Sequence, residues 1–239
     1  HSLPECEAVL LKIIKLFIQE SRRYFADILD DEVYQNIFSC VARILVKEKK
    51  GFDKDSFSEE LRSIVVKDYS SNVSKATVNR AIDWLYSSGI IGFAGKIPEC
   101  SIMDFKAKAR CYFMDLGIAN FYLRHIGCPK GHIAGIISEN FVFLDLKRRL
   151  GHPSEIALET PAFATLGNGE IDFWVMAMHS QKTYAIEVKS GKNNSKTIQE
   201  ALDRKKIDFA LFVKGNTYGG IKDNILTIPI YGISKFSFE

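Results

Sequence analysis

Two short stretches, Glu170-Ile171-Asp172-Phe173 and Tyr184-Ala185-Ile186-Glu187-Val188-Lys189, constrain this chain more than any other feature. Both read as strands, in which alternate side chains point to opposite faces. Glu170 and Asp172 then share one face of the first strand, and Glu187 and Lys189 share one face of the second. The polar connection Met178-His179-Ser180-Gln181-Lys182 is short enough for a hairpin. A turn centred on His179-Ser180 sets Asp172 opposite Glu187 and Glu170 opposite Lys189. Like charges facing each other on a sheet are destabilising, so the two carboxylates require a cation or a shared proton between them. Ile171, Val175, Ile186 and Val188 make both strands apolar on the other face.

An acidic pair with a lysine two residues beyond its second member suits metal-assisted phosphodiester hydrolysis. Mg2+ or Mn2+ would be held by carboxylate oxygens, and the ammonium would steady a water or a phosphate. The same residues could equally be the charged, solvated face of an exposed hairpin, with Glu170 as an accessory ligand or as the salt-bridge partner of Lys189.

Whole-chain properties narrow the classes. At 239 residues, with 46% hydrophobic and 26% charged residues, the chain suits one large or two small soluble domains. No apolar run approaches the ~18 residues of a membrane span, and the chain opens without a signal-peptide pattern. The cysteines (Cys6, Cys40, Cys100, Cys111, Cys128) show no C-x-x-C spacing, which argues against zinc and a disulfide framework and for a reducing cytoplasm. A net charge of +3 does not by itself imply nucleic acid. Local basic clusters exist at Lys147-Arg148-Arg149 and Arg204-Lys205-Lys206, where solvated helix ends are the ordinary explanation.

Along the chain, residues 1–50 read as helices, closed by the charged run Lys47-Glu48-Lys49-Lys50-Gly51. Residues 51–117 read as a winged helix. Phe57, Leu61, Ile64 and Val65 give its first helix; the second, capped by Asn72 or Ser74, runs from Lys75 to Leu85 and stops at Ser88-Gly89; a strand and wing follow at Ile90–Lys96. In a DNA-binding version, Lys75, Thr77, Asn79 and Arg80 would face the groove. From residue 118 to 239, Ser138 is expected to open a helix that Gly151 ends. Strands follow near Glu155–Ala162, Glu170–Met178 and Thr183–Lys189, then a helix from Ser195 to about Lys206 and a strand over Asp208–Val213. Ile225–Tyr231 is expected to be an edge strand that tolerates Pro229.

That order of helix, three strands, helix and strand, with those carboxylates, resembles the restriction-endonuclease-like αβββαβ fold of the PD-(D/E)XK superfamily. The resemblance implies an α/β chain with Glu139 as the helix acid, Asp172 as the strand aspartate, and Glu187 and Lys189 as the final pair. Ile171 stands where the motif's name has a proline. Asp172, Glu187 and Glu139 would be the metal ligands, Glu170 an accessory, and Lys192 and Lys196 would follow a nucleic-acid backbone.

A closer resemblance covers nearly the whole chain. Ser2-Leu3-Pro4-Glu5, Thr77-Val78 with Leu85, Tyr112-Phe113-Met114-Asp115-Leu116-Gly117, Gly135-x-x-x-Glu139-Asn140-Phe141, Glu170-Ile171-Asp172-Phe173 and Glu187-Val188-Lys189-Ser190-Gly191 are its marks. They are similar to the C-terminal half of a family of prokaryotic AAA+-type ATPases that carry a domain of unknown function. The resemblance implies a nucleotide-binding domain before residue 1, with the helices of residues 1–50 as its end, and nucleic acid and that ATPase domain as partners. No phosphate-loop motif occurs here: Gly95-Lys96 is followed by Ile97, and Gly191-Lys192 by Asn193. No ATP site is expected in this chain. The alternatives to a nuclease-like domain are an inert DNA- or protein-binding regulatory module and an oligomerisation module.

Overall fold

The computed structural model describes residues 2–25, 31–47, 74–150, 155–189 and 195–239, together with 59, 62 and 63. The chain divides into two compact units, residues 1–92 with 113–133 and residues 93–112 with 134–239. No described helix is long and apolar enough to cross a membrane. The cysteines are free thiols.

The first unit is helical, with α1 (Leu3–Phe25), α2 (Asp31–Lys47), α3 (Lys75–Ser87) and α4 (Leu116–His125). Phe38, Val41, Ala42 and Leu45 recur at helical spacing and bury one stripe of α2. The ring of Phe38 stacks on Tyr122 of α4 at 5.3 Å. Each short helix starts at a side-chain cap. The Ser74 hydroxyl accepts the Thr77 N–H at 3.1 Å, and the Asp115 carboxylate accepts the Ile118 N–H at 2.8 Å. Ser88 ends α3, and Gly89, at φ 72°, makes the left-handed turn that follows. Of the two expected caps, Ser74 is the one used; Asn72 and the expected helix through Phe57, Leu61, Ile64 and Val65 lie outside the described residues, apart from helical backbone at 59, 62 and 63.

The second unit is built on a mixed sheet. Its strands are β1 (Ile91–Ile97), β2 (Asp104–Phe113), β3 (Ala162–Leu166), β4 (Gly169–Met176), β5 (Thr183–Lys189), β6 (Phe209–Lys214), β7 (Gly220–Lys222) and β8 (Ile225–Pro229). Two helices, α5 (Lys130–Arg149) and α6 (Lys196–Asp203), and two 3-10 turns, Pro98–Cys100 and Ile230–Lys235, accompany the strands. The eight strands lie in the order β2-β1-β3-β4-β5-β6-β8-β7. The contacts β3–β4, β4–β5 and β7–β8 are antiparallel, whereas β1–β3, β5–β6 and β6–β8 are parallel. The expected order of helix, three strands, helix and strand is present as α5, β3, β4, β5, α6 and β6. The strand expected at Ile90–Lys96 forms as β1 and enters this sheet beside β3.

β6 pairs in parallel on both sides and β5 on one, and both strands are buried through their middles, so they read as nearly continuous apolar runs. Ile171, Trp174, Ala185, Ile198, Ala201 and Phe212 form one core cluster that takes in the inner face of α6. Tyr112 stacks on Phe143 of α5 at 4.2 Å and leans on Phe173 at 6.0 Å, filling a second apolar layer.

Several expected boundaries move. Helix α5 begins at Lys130, eight residues before Ser138, because Pro129 starts it: the Pro129 carbonyl accepts the His132 and Ile133 N–H groups at 2.9 and 3.0 Å. Gly131 and Gly135 are therefore helical, and Gly151 lies outside the described residues. The first strand of the trio starts at Ala162 rather than near Glu155, where only Ile156 bridges to Ala177. The run before Ala162 turns at Glu159-Thr160 and then meets Pro161, which has no N–H to give a ladder. β8 is an inner strand, since β7 pairs outside it. Pro229 is still tolerated, because β7 reaches no farther than Thr227.

Arg149 at the end of α5 shows that its basic cluster is not merely a solvated helix end. The side chain is 7% exposed and meets the buried Asp145 carboxylate at 2.9 Å. It also donates to the carbonyls of Ile233 and Phe236 and lies over the Phe238 ring at 5.3 Å. This one guanidinium fastens the C-terminal segment to α5. Removing it leaves the buried Asp145 carboxylate with only the largely exposed Arg148 at 3.0 Å and takes the donor from the Phe236 carbonyl, so Arg149→Met is expected to lower stability by about 3 kcal/mol in urea unfolding. Arg149→Met with Asp145→Leu should recover part of that loss, since no half-paired charge then stays buried.

Candidate active site

The site rests on a defect in β4. Ala162 pairs with Trp174, but Ala164 pairs with Ile171, so β4 carries one more residue than β3 between those pairs. Such a bulge breaks strict alternation and re-aims the side chains beside it. It lets Ile171 and Trp174, three residues apart, join the same core cluster. Asp172 and Phe173 occupy the bulge. The β4–β5 hairpin keeps the predicted register, from Met176↔Thr183 to Phe173↔Ile186. One step farther on, the Asp172 carboxylate accepts the Val188 N–H at 2.8 Å.

This brings Asp172 and Glu187 together, as the sequence predicts. Burial pushes the Asp172 carboxyl well above the usual carboxylate range, and the negative charges of Glu139 and Glu187 push it the same way. The Val188 N–H and Arg110 oppose that rise without cancelling it. Glu187 is 5% exposed. One of its oxygens accepts from the Lys189 ammonium at 2.7 Å. The other, Oε2, is buried without a hydrogen-bond partner, a condition shared among the described residues only with Trp174 Nε1. Burial alone would lower the Lys189 ammonium, but Glu187 and Asp172 outweigh it and hold the group above its ordinary value.

Glu139 and Glu170 turn toward a different cation. Arg110 on β2, 8% exposed, forms ion pairs with Glu139 at 3.3 Å and with Glu170. The expected Glu170–Lys189 pair is not formed: each finds a nearer opposite charge, Arg110 for Glu170 and Glu187 for Lys189. Tyr112 donates its hydroxyl to Glu139 at 2.7 Å. Burial and the Glu139 charge raise that phenol well above its ordinary range. Burial disfavours the Arg110 charge, yet its negative neighbours raise it above its ordinary value. The guanidinium also lies over the Phe163 ring at 4.5 Å. Its backbone has φ 56°, an uncommon conformation for a residue other than glycine.

Sequence reasoning did not single out Arg110 or Tyr112 as site residues. The signal was their spacing: Arg110 and Tyr112 share one strand face opposite Cys111 and Phe113. Lys214, also missed, is the β6 neighbour of Lys189.

The other predicted contact residues scatter. Lys196 is exposed at the start of α6, and Lys192 lies outside the described residues. On α3, Arg80 is exposed, while Thr77 and Asn79 are half-buried. The Thr77 hydroxyl shares a hydrogen bond with Ser74 at 2.9 Å. Lys75 begins the helix, and its side chain lies outside the described set.

A divalent cation can be tested against these donors. Among the described residues, no group of three or more His, Cys, Asp or Glu is disposed to hold a metal ion. Glu139 is held by Arg110 and Tyr112. Asp172 and the unpartnered oxygen of Glu187 nevertheless offer two adjacent hard donors, and neither is satisfied by a cation of the protein beyond Lys189. Two hard carboxylate donors fit the oxygen-ligand chemistry of Mg2+ or Mn2+.

Comparison of the chain with family models, with curated proteins and with solved structures gives no match.

An acid whose folded-state value is raised contributes stability that is present below the unfolded value and lost as pH rises through the folded one. Asp172 should thus penalise the fold increasingly as pH climbs out of the ordinary carboxylate range. Asp172→Asn, whose amide oxygen can still accept the Val188 N–H, is expected to be more stable than the parent at pH 8. That advantage should shrink toward pH 4 in paired denaturation curves measured without divalent metal.

Proposed function

We propose that the second unit is a metal-dependent nuclease-like domain of the PD-(D/E)XK type, cleaving phosphodiester bonds in nucleic acid. In this reading it belongs to the C-terminal region of an AAA+-type ATPase, and the first unit's α3 is the recognition helix of a winged helix. The reading is supported by the order of α5, β3, β4, β5, α6 and β6 and by the motif residues on them. The observation that carries it is the buried, unpartnered oxygen of Glu187 beside the buried Asp172 carboxyl. A fold does not keep two acids together in its interior, one of them with an unpartnered oxygen, without cost.

Asp172 and Glu187 would hold Mg2+ or Mn2+, with the Val188 carbonyl near enough in sequence to add a ligand. The ion would supply an acidified water and charge stabilisation at phosphorus. Lys189, whose ammonium donates to Glu187 at 2.7 Å, would orient the attacking water or neutralise the scissile phosphate. Tyr112 and Arg110 fix the Glu139 carboxylate, which from there can receive a hydrogen bond from a water. Lys196 at the start of α6 adds exposed positive charge for the phosphate backbone.

A second reading, an inert module that binds nucleic acid or protein, draws on the engagement of Glu139 by Arg110 and Tyr112. Plasmid and single-stranded DNA incubated with Mg2+ or Mn2+ separate the two. The nuclease reading expects cutting that falls by about 100-fold or more in Lys189→Ala and in Asp172→Ala. Absence of cutting, with DNA still retarded on a gel, supports the inert module instead.

A further inference from the structure

We infer that this site takes a single divalent cation, held between Asp172 and Glu187, because the Arg110 guanidinium already engages Glu139 and Glu170, the carboxylates a second cation would need. The inference rests on the metal-dependent reading above and specifies its stoichiometry. Its basis is an uneven distribution of charge within one unit of the chain.

Four carboxylates gather here: Glu139, Glu170, Asp172 and Glu187. Two protein cations answer them. Arg110 pairs with Glu139 and Glu170 together, and Tyr112 adds a donor to Glu139. That half of the cluster is saturated. Phe163 against the guanidinium face and the depth of Arg110 hold the charge in place. The other half has one ammonium, Lys189, which reaches one oxygen of Glu187 and leaves Oε2 bare. With all four carboxylates ionised, as ligation of a metal requires of Asp172, the two protein cations leave two negative charges over the cluster, the complement of one divalent ion. A second such ion would have to displace a buried guanidinium from two carboxylates, and breaking buried pairs of this kind is strongly unfavourable. Arg110 is thus a positioning residue that withholds Glu139 and Glu170 from metal.

Titration of the whole chain with Mn2+ alone, counting bound ions by electron paramagnetic resonance of the free ion, tests this directly. The expected result is one Mn2+ per chain, weakened at least 10-fold by Glu187→Gln and changed less than about 3-fold by Glu170→Gln. Arg110→Met should admit a second ion, while Arg110→Lys, which keeps the charge, should stay at one. Two ions in the unsubstituted chain would overturn the single-cation inference and leave the nuclease-like reading standing. One ion that survives Glu187→Gln but is lost in Glu170→Gln would overturn it by moving the site to the Arg110 side. No ion at millimolar Mn2+ would overturn both. Because the unsubstituted chain and Glu170→Gln decide the count, the test stands even if Arg110→Met does not fold.

Discussion

Buried negative charge is the constraint around which the second unit is arranged. Taking a carboxylate out of water costs several kcal/mol unless an opposite charge or strong donors receive it. Here the answer comes from a strand far along the sheet. Arg110 reaches the cluster because β2 and β1 are threaded beside β3, and because its own backbone adopts a left-handed conformation. Tyr112, two residues on, both packs against Phe143 and donates to Glu139, so one side chain serves the core and the polar cluster at once. The apolar layers on either side of the sheet make those electrostatic contacts matter, since they exclude the water that would otherwise screen them.

What was legible in the sequence was local. The hairpin register followed from a short polar connection, and β4–β5 adopts it. Ser74 announced the start of α3, and Gly89 its end, through chemistry confined to a few residues. The association of Asp172 with Glu187 was visible for the same reason. Glu170 was misassigned to Lys189 because alternation on an ideal strand cannot anticipate a bulge, nor a guanidinium arriving from another strand. The helix expected to open at Ser138 opens at Lys130, since the Pro129 carbonyl already receives the first N–H groups of the helix. Arg149 looked like one of three solvated basic residues, and only the packing of the C-terminal segment shows it turned inward.

The two buried arginines solve related problems in different ways. Arg149 joins two carboxylates, Asp145 and Glu155, to backbone carbonyls and closes a structural seam; all its partners are satisfied by the fold itself. Arg110 satisfies Glu139 and Glu170 and leaves an oxygen of neighbouring Glu187 bare. Complete satisfaction is what stability favours. Incomplete satisfaction, confined to one oxygen of Glu187 and the pressure on Asp172, is what a binding site requires. The same chemistry therefore separates scaffold from site within a single sheet.

The sequence distances inside the cluster also set an order of assembly. Val188 meets Asp172 across 16 residues through one hairpin, a contact with a small loop-closure cost. Arg110 meets Glu139 across 29 residues, and Thr160 reaches Phe93 across 67 when β3 docks on β1. Such non-local pairings are slow relative to hairpins. The acidic hairpin accordingly forms before its guanidinium partner arrives, and a half-folded chain exposes a strand pair with uncompensated negative charge. Mutual repulsion in that early species discourages premature edge-to-edge association during the interval, so the charge that burdens the finished interior protects the chain on the way there.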